Sequence, residues 1–124
     1  MQCFPMIERQ NGTEEEVVIC LTTFPDSEKA RQIGTVWVES QLAACLNLLP
    51  VAESIYRWEG KTESSSEVLA VVKTTRNHLP ALEASLRELH PYALPEFLIV
   101  APEGGSAEYL AWVRGETTLD KSAS

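Results

Sequence analysis

The stretch LHPYALPEFLIV, Leu89 to Val100, sets a histidine, a tyrosine, two prolines and a glutamate directly ahead of an apolar run. Imidazole, phenol and carboxylate are the groups that hold metal ions and shuttle protons. His90 stands between a helical leucine and Pro91, near what the spacing makes a helix C-terminus. There the macrodipole favours an imidazolium, and a structural hydrogen bond to a terminal carbonyl is equally available. Pro91 and Pro95 fix φ at two points of the connector, so Tyr92 and Glu96 would lose little entropy on binding a ligand. The same prolines also end a helix and start a strand.

Three residues elsewhere carry related chemistry. Lys73 lies in an otherwise apolar segment, VLAVVKT, and an ammonium among apolar neighbours needs a carboxylate or a ligand anion. Glu67 or Glu96 could supply the carboxylate. Six residues separate Glu67 from Lys73, which puts them on the same side of a regular strand about 20 Å apart, so direct contact would involve another element or subunit. Cys45, after Ala43-Ala44, is either a small buried hydrophobe or a soft ligand. Paired with an imidazole it would suit copper, which the Irving–Williams order favours.

The elements that must position these groups follow from periodicity. VVICLTTF, Val17 to Phe24, reads as a central strand closed by Pro25-Asp26. Asp26 or Ser27 caps a helix with Ala30, Ile33 and Trp37 at helical spacing, ending near Leu42. Ala44 to Trp58 and Ser66 to Thr74 read as the arms of a long hairpin turning at Glu59-Gly60-Lys61, with a bulge or edge segment at Pro50. Leu79, Leu82, Leu86 and Leu89 mark a second helix, with Asn77 as cap and Pro80 in its first turn. Phe97 to Ala101 makes a fourth strand, and a last short helix from Ser106 onward turns Tyr109, Leu110, Trp112 and Val113 inward. The order β-α-β-β-α-β plus a C-terminal helix is an α+β, ferredoxin-like antiparallel sheet covered by helices on one face. The other face is apolar enough that self-association is expected.

Length and charge bound the function. The chain has 124 residues, 44% of them hydrophobic, which is one domain. Its net charge is −8 with scattered basic residues, so it lacks the electrostatic footprint of a nucleic-acid binder. No apolar run is long enough to span a bilayer, and the start MQCFPMIERQ has no secretory pattern, which predicts a soluble, cytoplasmic protein. Cys3, Cys20 and Cys45 are an odd count without CxxC spacing, so reduced thiols are expected. Residues 1–16 and 117–124 read as loose tails around a domain of 17–116. Cys3 is assigned to a tail and His78 to the surface, Asn11-Gly12-Thr13 to a polar turn, and Gly104-Gly105 to a turn before a helix.

Five short pieces in register, ESQLAACLN (39–47), SIYRWEG (54–60), Glu67 with Val72-Lys73-Thr74, LHPYALPE (89–96) and YLAW (109–112), resemble the CutA divalent-cation tolerance family. The resemblance spans about Val17 to Arg114. It implies a ferredoxin-like protomer in a tight homotrimer similar to the PII signalling proteins, with the sheets packed inward. It also implies a cleft between subunits lined by Cys45, Trp58, Glu67, Lys73, His90, Tyr92 and Glu96. Some family members carry a cysteine in the Thr-Thr region and a double histidine before Pro-Tyr. This chain has Thr22 and Leu89 there, which leaves Cys45 and His90 as the candidate metal ligands of each protomer. Cys20 is not at the matching position, and its role stays open.

Three function classes follow. The first is a non-enzymatic, trimeric divalent-cation tolerance protein binding copper or a similar ion through Cys45 and His90. The second is a PII-like signalling module taking a small anionic ligand near Lys73 and His90. The third, a hydrolase or lyase using His90, Glu96 and Tyr92, has no catalytic signature to support it.

Overall fold

The computed structural model describes residues 6–117. In chain order the elements are β1 (Ile7–Arg9), β2 (Val17–Phe24), α1 (Ser27–Glu39), β3 (Cys45–Trp58), β4 (Lys61–Thr75), a 3₁₀ turn (Arg76–His78), α2 (Leu79–Leu89), β5 (Leu98–Val100), β6 (Gly104–Ser106) and α3 (Ala107–Glu116). The main sheet has the order β3-β4-β2-β5 with every pair antiparallel. That is the ferredoxin-like arrangement expected from the alternation of elements.

Alternation along the strands sorts side chains between the two faces. Val18, Cys20 and Phe24 of β2 and Val68, Ala70 and Val72 of β4 point to the helices. They pack with Ala30, Ile33 and Trp37 of α1 and with Leu79, Leu82 and Leu86 of α2 in the main core. The opposite face carries Ile19 and Leu21 of β2, Glu67, Leu69, Val71 and Lys73 of β4 and, through the register Ile19↔Val100 and Leu21↔Leu98, two residues of β5. Leu98 is 58% exposed and Val100 46%. Among the described residues α3 covers only one end of this apolar face, over Val17, Cys45 and Lys73, and the Leu98 and Val100 side is left open.

Local chemistry sets the element ends. The Asp26 carboxylate accepts from Lys29 N at 2.7 Å and starts α1, which stops at Glu39, three residues before the expected end. Gln41, at φ 63°, ends it there. The hairpin is longer than expected: β4 begins at Lys61 rather than Ser66, because Thr62 to Ser65 pair with Ser54 to Arg57 despite their polarity. The expected irregularity at Pro50 is present as a register shift between Leu49 and Ala52, with Val51 at φ 66°. Asn77 does not cap α2. Its side chain instead accepts from Thr75 Oγ1 at 2.6 Å.

Two further expectations are corrected. In α3 only Leu110 and Val113 are buried, while Tyr109 and Trp112 lie 41% and 44% exposed, their rings 5.6 Å apart. Part of the stretch read as a loose N-terminal tail is paired: Ile7–Arg9 form an antiparallel ladder with Gly104–Ser106, so the supposed glycine turn is a strand. Cys3 and most of the 117–124 segment lie outside the described residues.

Candidate functional site

His90 sits where α2 gives way to extended backbone, its N–H still bonded to Leu86 O at 2.9 Å. The residue is buried, and both ring nitrogens are used. Nε2 lies 2.6 Å from Thr23 O, and Nδ1 accepts from Tyr92 N at 3.1 Å. A carbonyl can only accept and a backbone N–H can only donate, so the pairing assigns the ring proton to Nε2. The ring also stacks on Phe24 at 5.2 Å, with Tyr92 at 4.7 Å on a tilted plane. His90 thus ties the joint to the end of β2. A metal could take a ring nitrogen only by displacing one of these bonds.

Tyr92 carries the joint's chemistry onward. Its hydroxyl donates to Glu67 Oε2 at 3.0 Å, across from the connector to β4. Partial burial, reinforced by that carboxylate, pushes the phenol up to about 12. Glu67 is only 8% exposed and makes no ion pair among the described residues. Both side chains face a cavity of about 630 Å³ whose lining also includes Thr23, Ser54, Trp58 and Glu96. Two carboxylates in one cavity make it electronegative. Its mouth is apolar, with Ile55 and Leu94 70% and 73% exposed.

The cleft residues divide into two groups within a chain. Trp58, Glu67, Tyr92 and Glu96 line the cavity, with His90 behind it. Cys45 and Lys73 face each other across β3 and β4 at the other end of the sheet. There Cys45 packs against Val17, Ala44, Leu110 and Val113, and Lys73 Nζ lies 5.6 Å from the centre of the Tyr109 ring. Six strand residues separate Lys73 from Glu67, about 20 Å. Among the described residues one chain therefore does not bring Cys45 to His90 or Lys73 to a carboxylate.

Among the described residues no group of three or more His, Cys, Asp or Glu side chains is placed to hold a metal ion. Cys20, in the helix-side core, is pushed up to about 12 by burial, which makes its thiol a poor ligand. The described residues of one chain do not fit a complete metal centre.

Sequence reasoning missed a polar cluster at the start of α2. His78, expected at the surface, is 2% exposed. Its Nδ1 lies 2.6 Å from Thr75 Oγ1, and its Nε2 has no hydrogen-bond partner among the described residues. Burial lowers its pKa. Beside it Arg76 reaches Glu16 Oε1 through Nε at 3.0 Å and Nη2 at 2.5 Å. The signal was the run Thr75-Arg76-Asn77-His78 between strand and helix, which composition alone reads as a solvated link.

The profile of the CutA1 divalent ion tolerance protein family matches residues 18–116. The chain is 45% identical over 103 residues to the divalent-cation tolerance protein CutA of Thermus thermophilus, covering 83% of this chain and 98% of the relative. It is 43% identical over 101 residues to the human protein CutA, covering 82% of this chain and 56% of that longer protein. Among solved structures, CutA from Xylella fastidiosa superposes with a TM-score of 0.81 at 41% identity over 83% of this chain and 99% of the other. CutA from Synechococcus elongatus superposes with a TM-score of 0.83 at 34% identity, over 90% of this chain and 96% of the other.

Proposed function

The chain belongs to the CutA1 divalent ion tolerance protein family, and on that footing we propose that it is a non-enzymatic, cytoplasmic homotrimer that meets a divalent cation at the carboxylate wall of its cavity. One observation carries this reading: Glu67 is a buried carboxylate whose hydrogen-bond partner is a neutral phenol and which has no cationic partner among the described residues. Such a charge calls for a cation from outside the chain. Glu96 lines the same cavity and adds oxygen donors. Oxygen sites accept a range of divalent ions, and among the first-row metals the Irving–Williams order still favours copper. Trimer formation is supported by the apolar sheet face and the apolar cavity mouth, which a neighbouring protomer would cover.

The pair Cys45 and His90 remains a copper site only if the two residues come from different protomers and His90 gives up a hydrogen bond. A small anion in the cavity is disfavoured by Glu67 and Glu96, and Lys73 is not among its lining residues. The test is a competition titration of reduced, metal-free protein with Cu(I), Cu(II) and Zn(II), comparing Glu67→Gln, Glu96→Gln, Cys45→Ser and His90→Ala. The proposal expects Glu67→Gln to weaken divalent binding by roughly tenfold or more, about 1.4 kcal/mol. Weakening confined to Cys45→Ser and His90→Ala, or no dependence on any of the four, overturns the carboxylate assignment.

A further inference from the structure

Residues 6–10 precede the family-matched segment, yet they make dense contacts with its far end. β1 pairs antiparallel with β6 in the register Ile7↔Ser106, Glu8↔Gly105 and Arg9↔Gly104. The ladder is extended at both ends, by Ala107 N donating to Met6 O at 2.7 Å and Gln10 N donating to Glu103 O at 2.8 Å. Side chains reinforce it: Arg9 pairs with Glu103, and Arg114 of α3 lies 3.4 Å from Glu8. The Gln10 amide makes three more bonds, from its Nε2 to Val17 O and Pro102 O and to its Oε1 from Val17 N. The strand sits so close to Gly104 that a Cβ there would meet Glu8 O at 2.3 Å.

The helix that follows β6 is held on two sides, by β4 and β2 of the main sheet and by the β1–β6 ladder. α3 is ten residues long, too short to persist alone, and it buries only Leu110 and Val113, in a small cluster with Val17 and Ala44. Its first turn is tied to Met6, its last turn to Glu8, and its entry strand to β1. We propose that Met6–Gln10 is a latch on the C-terminal helix: the edge of β6 accepts an extended strand, the chain's own N-terminal segment fills it, and the order of α3 depends on that edge being filled. The latch and α3 form one cooperative unit that opens without the main sheet. Opening would carry Tyr109 away from Lys73 and uncover the Val17, Ala44 and Cys45 side of β2 and β3.

Hydrogen exchange of the full chain tests this, comparing the wild type with Gly104→Ala, which forces the strand off, and with Gln10→Ala, which removes three hydrogen bonds to β2 and the β5–β6 connection without touching α3. The expected result is that amides of residues 7–10 and 107–116 exchange at least roughly tenfold faster together in Gly104→Ala, and by a smaller common factor in Gln10→Ala. Amides of α1 and of the β2–β4 ladder beyond Val17, whose own N–H bonds to Gln10, should be unchanged. If Gly104→Ala does not fold, Gln10→Ala decides. Faster exchange at 7–10 with α3 unmoved overturns the proposal, and so does undiminished protection of 7–10 in both variants.

Discussion

Tyr92 and Glu67, 25 residues apart in sequence, are joined by a 3.0 Å hydrogen bond that closes one wall of the cavity. The phenol is the donor and the carboxylate the acceptor, so the bond is charge-assisted, and Tyr92→Phe leaves a nearly buried carboxylate without it. The loss should be about 1–2 kcal/mol, the low end for such bonds because the Tyr92 ring is partly exposed. A urea melt of the variant checks it, and an unchanged midpoint would show that the bond contributes nothing.

The same pair has an alkaline signature. Tyr92 ionises at about 12 in the folded chain against an ordinary 10.0, raised by partial burial first and by the Glu67 bond and charge second. A raised folded pKa means the bond's contribution is intact below pH 10 and is lost as the pH climbs toward 12. In Glu67→Gln the phenolate absorbance of Tyr92 should appear at lower pH, while remaining above 10 because burial persists. An unmoved titration would separate Tyr92 from Glu67.

His78 predicts an acid effect of opposite sense. Burial lowers its folded pKa below the ordinary 6.5, so the unfolded chain takes up the proton more readily. Stability is therefore full above pH 6.5 and falls as the pH drops from there through the folded value. The orphaned Nε2 offers the extra proton no acceptor, and the site lies at a helix N-terminus, where positive charge is unfavourable. His78→Gln should flatten this segment of the stability profile, measured by denaturant melts across the acid range. A slope identical to wild type would place the titrating group elsewhere.

Arg76→Ala should cost roughly 2–4 kcal/mol, because it strips the cation from Glu16, whose side chain is 6% exposed. The exposed i,i+4 pair Arg87–Glu83 provides the contrast: Arg87→Ala should cost well under about 1 kcal/mol. Equal losses in parallel melts would contradict the burial argument.

What was legible in the sequence was whatever rests on periodicity. VVICLTTF gave β2 residue for residue, and Leu79, Leu82 and Leu86 marked the buried face of α2, because a core imposes its spacing on the chain. The irregularity at Pro50 was readable because proline cannot donate to a ladder. Polar strand was not readable: Thr62 to Ser65 belong to β4's outer end through main-chain pairing to β3, to which side-chain hydropathy is blind. The β1–β6 ladder joins segments about a hundred residues apart, and no local pattern announces it. At the site, the joint at Leu89 to Glu96 was correctly singled out as a place where polar groups converge. The hydrogen bonds that occupy both nitrogens of His90 come from Thr23 and Tyr92, and only the fold brings Thr23 there. Tyr109 and Trp112 looked like core because aromatic residues usually are, yet α3 touches the domain along a stripe too narrow to bury them.

The sheet face that α3 covers only at one end leaves an apolar surface for association. Leu21, Leu69 and Val71 lie on it beside Leu98 and Val100, so a charge placed at its centre, as in Val71→Lys, should disrupt association while leaving the helix-side core intact. Circular dichroism should show a folded variant. Loss of secondary structure together with assembly would mean the face is needed for folding itself.

The most direct measurement is the native mass of the wild-type chain at micromolar concentration. The expected result is a single species of three 13.8 kDa chains, converted to smaller species by Val71→Lys. A stable 13.8 kDa monomer would contradict it, because the apolar mouth of the Glu67–Tyr92 cavity would then have no neighbouring protomer to close it.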